Sequence, residues 1–238
     1  MKLLLSFGCC LIISSLFSQQ RVDVRKDINV SAGSMFYSVG GQPVVTNEFY
    51  EVTEGTQYFT EEWMNGMIVL YNNTIHKNLK IKLDLHKGFI HYLDEAGKEL
   101  VAESAVKEVI LINDIEDKNY RFIHASSITN ETDKRKPQWF LWLLTGTASA
   151  YKVFSKEVIE RRPYNSATIE QQIATKEKYV LDYNGTLFFI KKLKEVPSIL
   201  ANKKRELEIF LNSDQIVNAA TTDDQFVALI KYYNSLLR

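Results

Sequence analysis

The stretch Pro137-Gln-Trp-Phe-Leu-Trp-Leu-Leu-Thr-Gly-Thr-Ala-Ser-Ala-Tyr-Lys-Val-Phe154 constrains this chain most, because it sets dense apolar runs on either side of one glycine turn. A membrane-spanning helix needs roughly 18 to 20 apolar residues, and Trp139 to Leu144 falls far short. With Gly146-Thr147 as a hairpin loop, Trp142 faces Tyr151, Phe140 faces Val153 and Leu144 faces Ser149. Trp139, Leu141 and Leu143 then lie opposite Phe154, Lys152 and Ala150. Apolar residues on both sides identify a strand buried on two faces, the interior of a sheet. Trp139, Trp142, Tyr151 and Phe154 would also suit the lining of a cavity for a small apolar ligand; plain core packing is the preferred reading.

Short runs rich in Val, Ile, Phe and Tyr, parted by Gly, Asn and Asp, continue from Met35 to Lys192, which is the rhythm of antiparallel structure. Asn184-Gly185 suits a type I′ turn, since both central residues need positive φ. It pairs Tyr183 with Thr186, Leu181 with Phe188 and Tyr179 with Ile190. Leu79 to Leu93 alternates as another hairpin, and Asp94-Glu-Ala-Gly97 turns it into a third strand, Lys98 to Ala102.

Helices follow. Val196, Ile199, Leu200, Leu207, Phe210 and Leu211 fall on one helical stripe, with Pro197 near its start. A second helix is expected from Thr222, capped with Gln225, and buries Phe226, Leu229, Ile230, Tyr233 and Leu237. Arg161 to Asn165 reads as a loop, and Thr168 to Lys176 as a short helix or continued loop. The fold class expected is α+β: a predominantly antiparallel sheet, barrel- or sandwich-like, with two C-terminal amphipathic helices. Residues 19–194 form the β-rich body and 195–238 the helical segment.

Residues 1–18 read as a secretory signal peptide, with Lys2 before the apolar Leu3 to Leu16 and cleavage at Ser18/Gln19. Acylation of Cys9 is the rival reading, opposed by bulky Phe7 and by the apolar residues that continue past the cysteines. Cys9 and Cys10 both lie in the segment to be removed, so the mature chain is expected to have neither disulfide nor thiolate site. Its 29 Lys and Arg balance 29 Asp and Glu, so no net field draws it to nucleic acid. No nucleic-acid partner and no transmembrane segment are expected.

Phosphate-loop, dinucleotide, zinc-protease and nucleophile-elbow motifs are absent from the sequence, and no cofactor is expected. One constellation invites chemistry. A loop centred on Lys87-Gly88 sets Asp84 opposite His91 and His86 opposite Phe89, placing Asp84, His86 and His91 on one sheet face. Two imidazoles and a carboxylate would hold a divalent metal and activate water, as a metal-dependent hydrolase requires. The plainer reading is the polar side of a half-exposed sheet. His124 precedes Ser126 and Ser127, but only geometry makes a Ser–His pair. Lys191-Lys-Leu-Lys194 after Phe188-Phe189 reads as a charged strand end.

Taken together, the leader ending in Ser-Gln-Gln, Ser31-Ala-Gly-Ser-Met-Phe-Tyr-Ser-Val-Gly-Gly-Gln-Pro43, the Asn-Gly hairpin running into Leu-Phe-Phe-Ile-Lys-Lys-Leu-Lys-Glu-Val196, and the terminal Asp-Asp-Gln-Phe-Val-Ala-Leu-Ile-Lys-Tyr-Tyr-Asn-Ser-Leu form a pattern. It resembles uncharacterised exported proteins of Bacteroidetes, β-rich with C-terminal helices and a Tyr-Tyr-Asn signature. The resemblance implies a Gram-negative envelope setting and brings no site residue with it. A non-catalytic envelope protein is therefore expected, periplasmic, outer-membrane-associated or extracellular, that binds a protein partner or a small ligand, with Tyr232 and Tyr233 as candidate contacts.

Overall fold

The structure, a computed structural model, describes residues 41–43, 50–128, 138–165 and 168–237. Residues 1–18, which include both cysteines, and the basic Asp133 to Lys136 cluster lie outside the described residues. Among the described residues twelve strands share one sheet: β1 Gly41–Pro43, β2 Tyr50–Glu54, β3 Met64–Leu70, β4 Ile75–Leu83, β5 Ile90–Leu93, β6 Glu99–Ala102, β7 Val106–Asn113, β8 Lys118–His124, β9 Trp139–Leu144, β10 Ala148–Arg161, β11 Ile169–Tyr183 and β12 Thr186–Ile190. The spatial order is β1-β6-β5-β4-β3-β7-β8-β9-β10-β11-β12, with β2 alongside β11. Neighbours are antiparallel except β2, which runs parallel to the start of β11. The sheet stays open, with β1 and β12 at its two ends. Among the described residues four α-helices follow: α1 Val196–Ile199, α2 Lys204–Leu211, α3 Asp214–Val217 and α4 Thr222–Ser235.

The central strand is where its composition requires it to be. Trp142 pairs with Tyr151 and Phe140 with Val153. A bulge beside Ala150 moves Leu144 opposite Ala150 in place of the expected Ser149. Side chains alternate, so Trp139, Leu141 and Phe154 join a core with Ile68, Ile81, Leu83, Val109 and Phe122, while Phe140, Tyr151, Val153 and Val180 pack in another cluster. The four aromatics Trp139, Trp142, Tyr151 and Phe154 are thus divided between clusters. Phe59 fills the first core edge-on, its ring centroid 4.9 Å from Tyr120, 4.9 Å from Phe122 and 5.6 Å from Phe154.

The Asn-Gly hairpin has the expected register, Tyr183 with Thr186, Leu181 with Phe188 and Tyr179 with Ile190, and positive φ at Asn184 and Gly185. Residues 168–176 depart from expectation: from Ile169 they form the first half of β11. Continuous pairing with β10, from Ala148 with Tyr183 to Arg161 with Glu170, overrides the helical preference of Glu, Gln, Ala and Lys.

The helical segment buries Val196, Leu200, Leu207, Phe226, Leu229, Ile230 and Tyr233 against Ala148, Ala150, Leu181 and Ile190. The expected first helix is broken, because Leu200 leaves helical geometry (φ −91°, ψ 54°) while its side chain is fully buried. The break sets Asn202 where its Oδ1 accepts from the Tyr233 hydroxyl at 3.2 Å. The last helix is capped one residue earlier than expected. Thr221 Oγ1 accepts from Asp224 N (3.1 Å), and Asp224 Oδ2 accepts from Thr221 N (3.1 Å). That shift places Asp223 in the first turn of α4, facing the sheet.

Candidate functional site

Beyond Ile190 the chain leaves β12 through Lys191 and Lys192, makes a tight turn at Leu193–Glu195, and returns as α2 and α3. Between this return and the start of α4 lies an open cleft of about 790 Å³. Its apolar lining is Leu193 and Leu211, half-buried, above the buried Ile190 and Ile216, and Lys191, Lys192 and Lys194 are exposed at its rim. Glu208 is the one carboxylate among the described residues that line it, and Lys204 already sits 3.8 Å from that side chain.

Polar groups in the lining are largely committed to the protein itself. Asn212 Nδ2 donates to Glu208 O at 2.9 Å, and Gln225 Nε2 to Ile216 O at 3.2 Å. The Tyr179 hydroxyl donates to Asp223 Oδ1 at 2.5 Å. Asp223 in turn accepts from Lys152 Nζ at 3.0 and 3.2 Å, and Glu177 lies 2.6 Å from the same ammonium. Lys152 is only 8 % exposed, stacked over the Phe154 and Tyr179 rings.

This network fixes protons. Burial by itself lowers the Lys152 pKa, but hydrogen bonds and charge from Glu177 and Asp223 outweigh it, and the ammonium titrates above its ordinary 10.5. Burial, reinforced by the hydrogen bond to Asp223, raises Tyr179 above its ordinary 10.0. Both groups hold protons in the fold that the unfolded chain gives up near pH 10, so ν for the unfolded state is the smaller and stability falls as pH rises. The contribution is intact below about pH 10 and is lost as pH climbs through the folded values. Urea melts from pH 8 to 11 should show this decline, and Tyr179→Phe should make it shallower; an unchanged slope would refute the coupling.

The expected metal face is rearranged. The hairpin loop is wider than Lys87-Gly88: Lys82 pairs with His91, Leu83 with Ile90, and Asp84 N donates to Phe89 O. Asp84 Oδ1 accepts from the His86 and Lys87 amides, both at 2.8 Å, in a local turn that carries His86 out to solvent. Asp84 and His91 remain buried beside Tyr58, with His91 Nδ1 2.6 Å from Glu99 Oε1. Asp84, His86 and His91 are not gathered, and among the described residues no group of three His, Cys, Asp or Glu side chains is placed to hold a metal ion.

His124 does meet Ser126. Its Nδ1 accepts from the Ser126 amide (3.3 Å) and lies 2.7 Å from Ser126 Oγ, while the Tyr71 hydroxyl touches Ser126 Oγ and lies 3.0 Å from Ser127 Oγ. An Nδ1 that accepts from an amide carries no proton, so Ser126 O–H donates to it and Tyr71 O–H donates to Ser126. Burial lowers the His124 pKa and keeps the ring neutral. The arrangement caps the turn Ala125–Ser127, and its residues do not line the cleft.

Tyr232 stacks on Phe210 with centroids 4.1 Å apart, and Tyr233 is fully buried. The residue of the terminal signature that reaches furthest is Asn234, which sequence reasoning passed over. Its Oδ1 accepts from Ala148 N and its Nδ2 donates to Ala148 O, both at 2.9 Å. Gly146 is required beside it, because a Cβ there would lie 2.3 Å from Asn234 Nδ2. Among the described residues no helix is long and apolar enough to cross a membrane.

No protein-family model, curated protein or solved structure matches this chain. The cleft must therefore be read from its own chemistry.

Proposed function

We propose that this is an exported, non-catalytic binding protein of the cell envelope, and that it binds through the cleft between β12 and the helical segment. The observation carrying this reading is the lysine-rimmed cleft itself. Its volume, about 790 Å³, lies within the ~300–1,000 Å³ usual for ligand sites.

Two measurements test the reading. A photo-crosslinking residue in place of Leu211, in the cleft, should yield a discrete adduct in cells, whereas the same residue at Ile209, exposed and outside the lining, should yield none. Equal labelling at both, or at neither, would defeat the assignment. For export, N-terminal sequencing of the protein from an envelope fraction should begin at Gln19; a retained Met1 in a cytoplasmic fraction would oppose it.

A further inference from the structure

We propose that β12 is a docking edge for a second copy of this chain, and that two copies join their sheets there about a two-fold axis. The hairpin shows which backbone groups are free. Tyr183 and Thr186 close a two-residue loop, so they exchange both of their bonds, and bonded pairs then alternate with unbonded ones along the ladder. Leu181–Phe188 and Tyr179–Ile190 are bonded pairs; Asp182–Leu187 and Val180–Phe189 are not. The N–H and C=O groups of Leu187 and Phe189 therefore point off the end of the sheet, where no described strand or loop receives them. The Phe189 side chain is itself 46 % exposed. This edge is separate from the cleft, since neither Leu187 nor Phe189 lines it.

Sheet ends are ordinarily protected by Lys, Pro or a bulge. β1, at the far end, has Pro43, and the stretch of β11 between its pairings with β2 and β12 has Lys176, Glu177 and Lys178. β12 reads Thr-Leu-Phe-Phe-Ile, regular and uncharged. A second copy fits it in one register. With Leu187 opposite the partner's Phe189 and Phe188 opposite the partner's Phe188, all four free groups on each edge are satisfied, and each Phe189 ring gains a leucine neighbour. A slip of one residue would present groups already bonded to β11. A slip of two in one direction sets Phe189 against the partner's Gly185, inside the turn. In the other direction it sets Leu187 against the partner's Lys191, and the Lys191 N–H is already given to Glu195 Oε2 at 3.1 Å. Charge agrees with the fitting register. Lys191 and Lys192 come opposite the partner's Gly185 and the partner's Asn184, never each other, and 29 basic against 29 acidic residues leave no net repulsion between copies.

Sedimentation velocity of the intact protein between about 1 and 500 μM tests this. A five-residue edge makes a small interface, so the dimer should be weak, with a dissociation constant on the order of 10–100 μM. Across that range amide exchange at Leu187 and Phe189 should slow by about threefold or more, while Phe188 and Ile190, already bonded to β11, should not change. Phe189→Lys sets a charge on the edge, and Phe189→Pro removes an outward N–H while leaving the β11 ladder complete. Each should weaken association by about tenfold or more, and Phe189→Lys should keep the wild-type melting temperature at about 1 μM because the side chain it replaces is exposed. A protein that stays monomeric at the highest concentration, a dimer that both variants retain, or exchange that slows at Phe188 in place of Leu187 would overturn the proposal.

Discussion

Lys152→Ala should destabilise the protein by about 2–4 kcal/mol, the larger of the two effects expected from single substitutions. Removing one partner of a buried ion pair costs roughly 3–5 kcal/mol because the other charge is left in a poor solvent. The figure is reduced here because Glu177 and Asp223 keep part of their side-chain surface in water, 47 % and 31 %. Two carboxylates facing each other with the cation gone then repel, and among the described residues Tyr179 is the one other side chain that donates to Asp223. Chemical denaturation at pH 7 measures the loss. The double variant Lys152→Met/Asp223→Asn should recover a large part of it, because the apolar stem still covers Phe154 and Tyr179 and a buried charge has been removed. A single variant as stable as the wild type would show that the network carries no load. The consequence for the cleft is direct, since Tyr179 and the start of α4 form part of its wall.

Asn234→Leu should cost about 2–3 kcal/mol. The asparagine amide mimics a strand neighbour for Ala148, giving that fully buried residue both a donor and an acceptor. Leucine is of similar size but leaves an N–H and a C=O in apolar surroundings, and each unsatisfied buried group costs roughly 1–3 kcal/mol. For a chain of this length the melting temperature should fall by roughly 4–12 °C. Gln at the same position, one methylene longer, should not restore stability, because Gly146 leaves no space beside the amide. Restoration by Gln would show that the polar group matters and its geometry does not. The Tyr-Tyr-Asn ending is on this account a clasp: Tyr232 stacks on α2, Tyr233 reaches Asn202, and Asn234 ties α4 to the start of β10.

Polar commitments explain which site readings changed. Asp84, His86 and His91 were legible as one face only under a two-residue loop. Asp84 closes a wider turn through its Oδ1, which accepts from the His86 and Lys87 amides and carries His86 out to solvent, away from the buried His91. Conversely, Lys191, Lys192 and Lys194 read in sequence as an ordinary charged strand end. They become the rim of a recess only because the Leu193–Glu195 turn and the break at Leu200 fold α2 and α3 back across them.

What the chain dictated locally was the sheet and its pairing wherever turn chemistry and alternation agreed: Asn184-Gly185 set the β11–β12 register, and the two-sided apolar run set β9 as an interior strand. Those features depend on residues a few positions apart, whose steric demands are written side by side. Tertiary structure alone decided that Ile169 to Lys176 belongs to β11, that Lys152 finds Asp223 on a helix 71 positions away, and that Asn234 reaches Ala148 across 86. Long-range partners of a charge or an amide leave no periodic trace, because the energy comes from desolvating two groups together and is absent until the fold has brought them into contact.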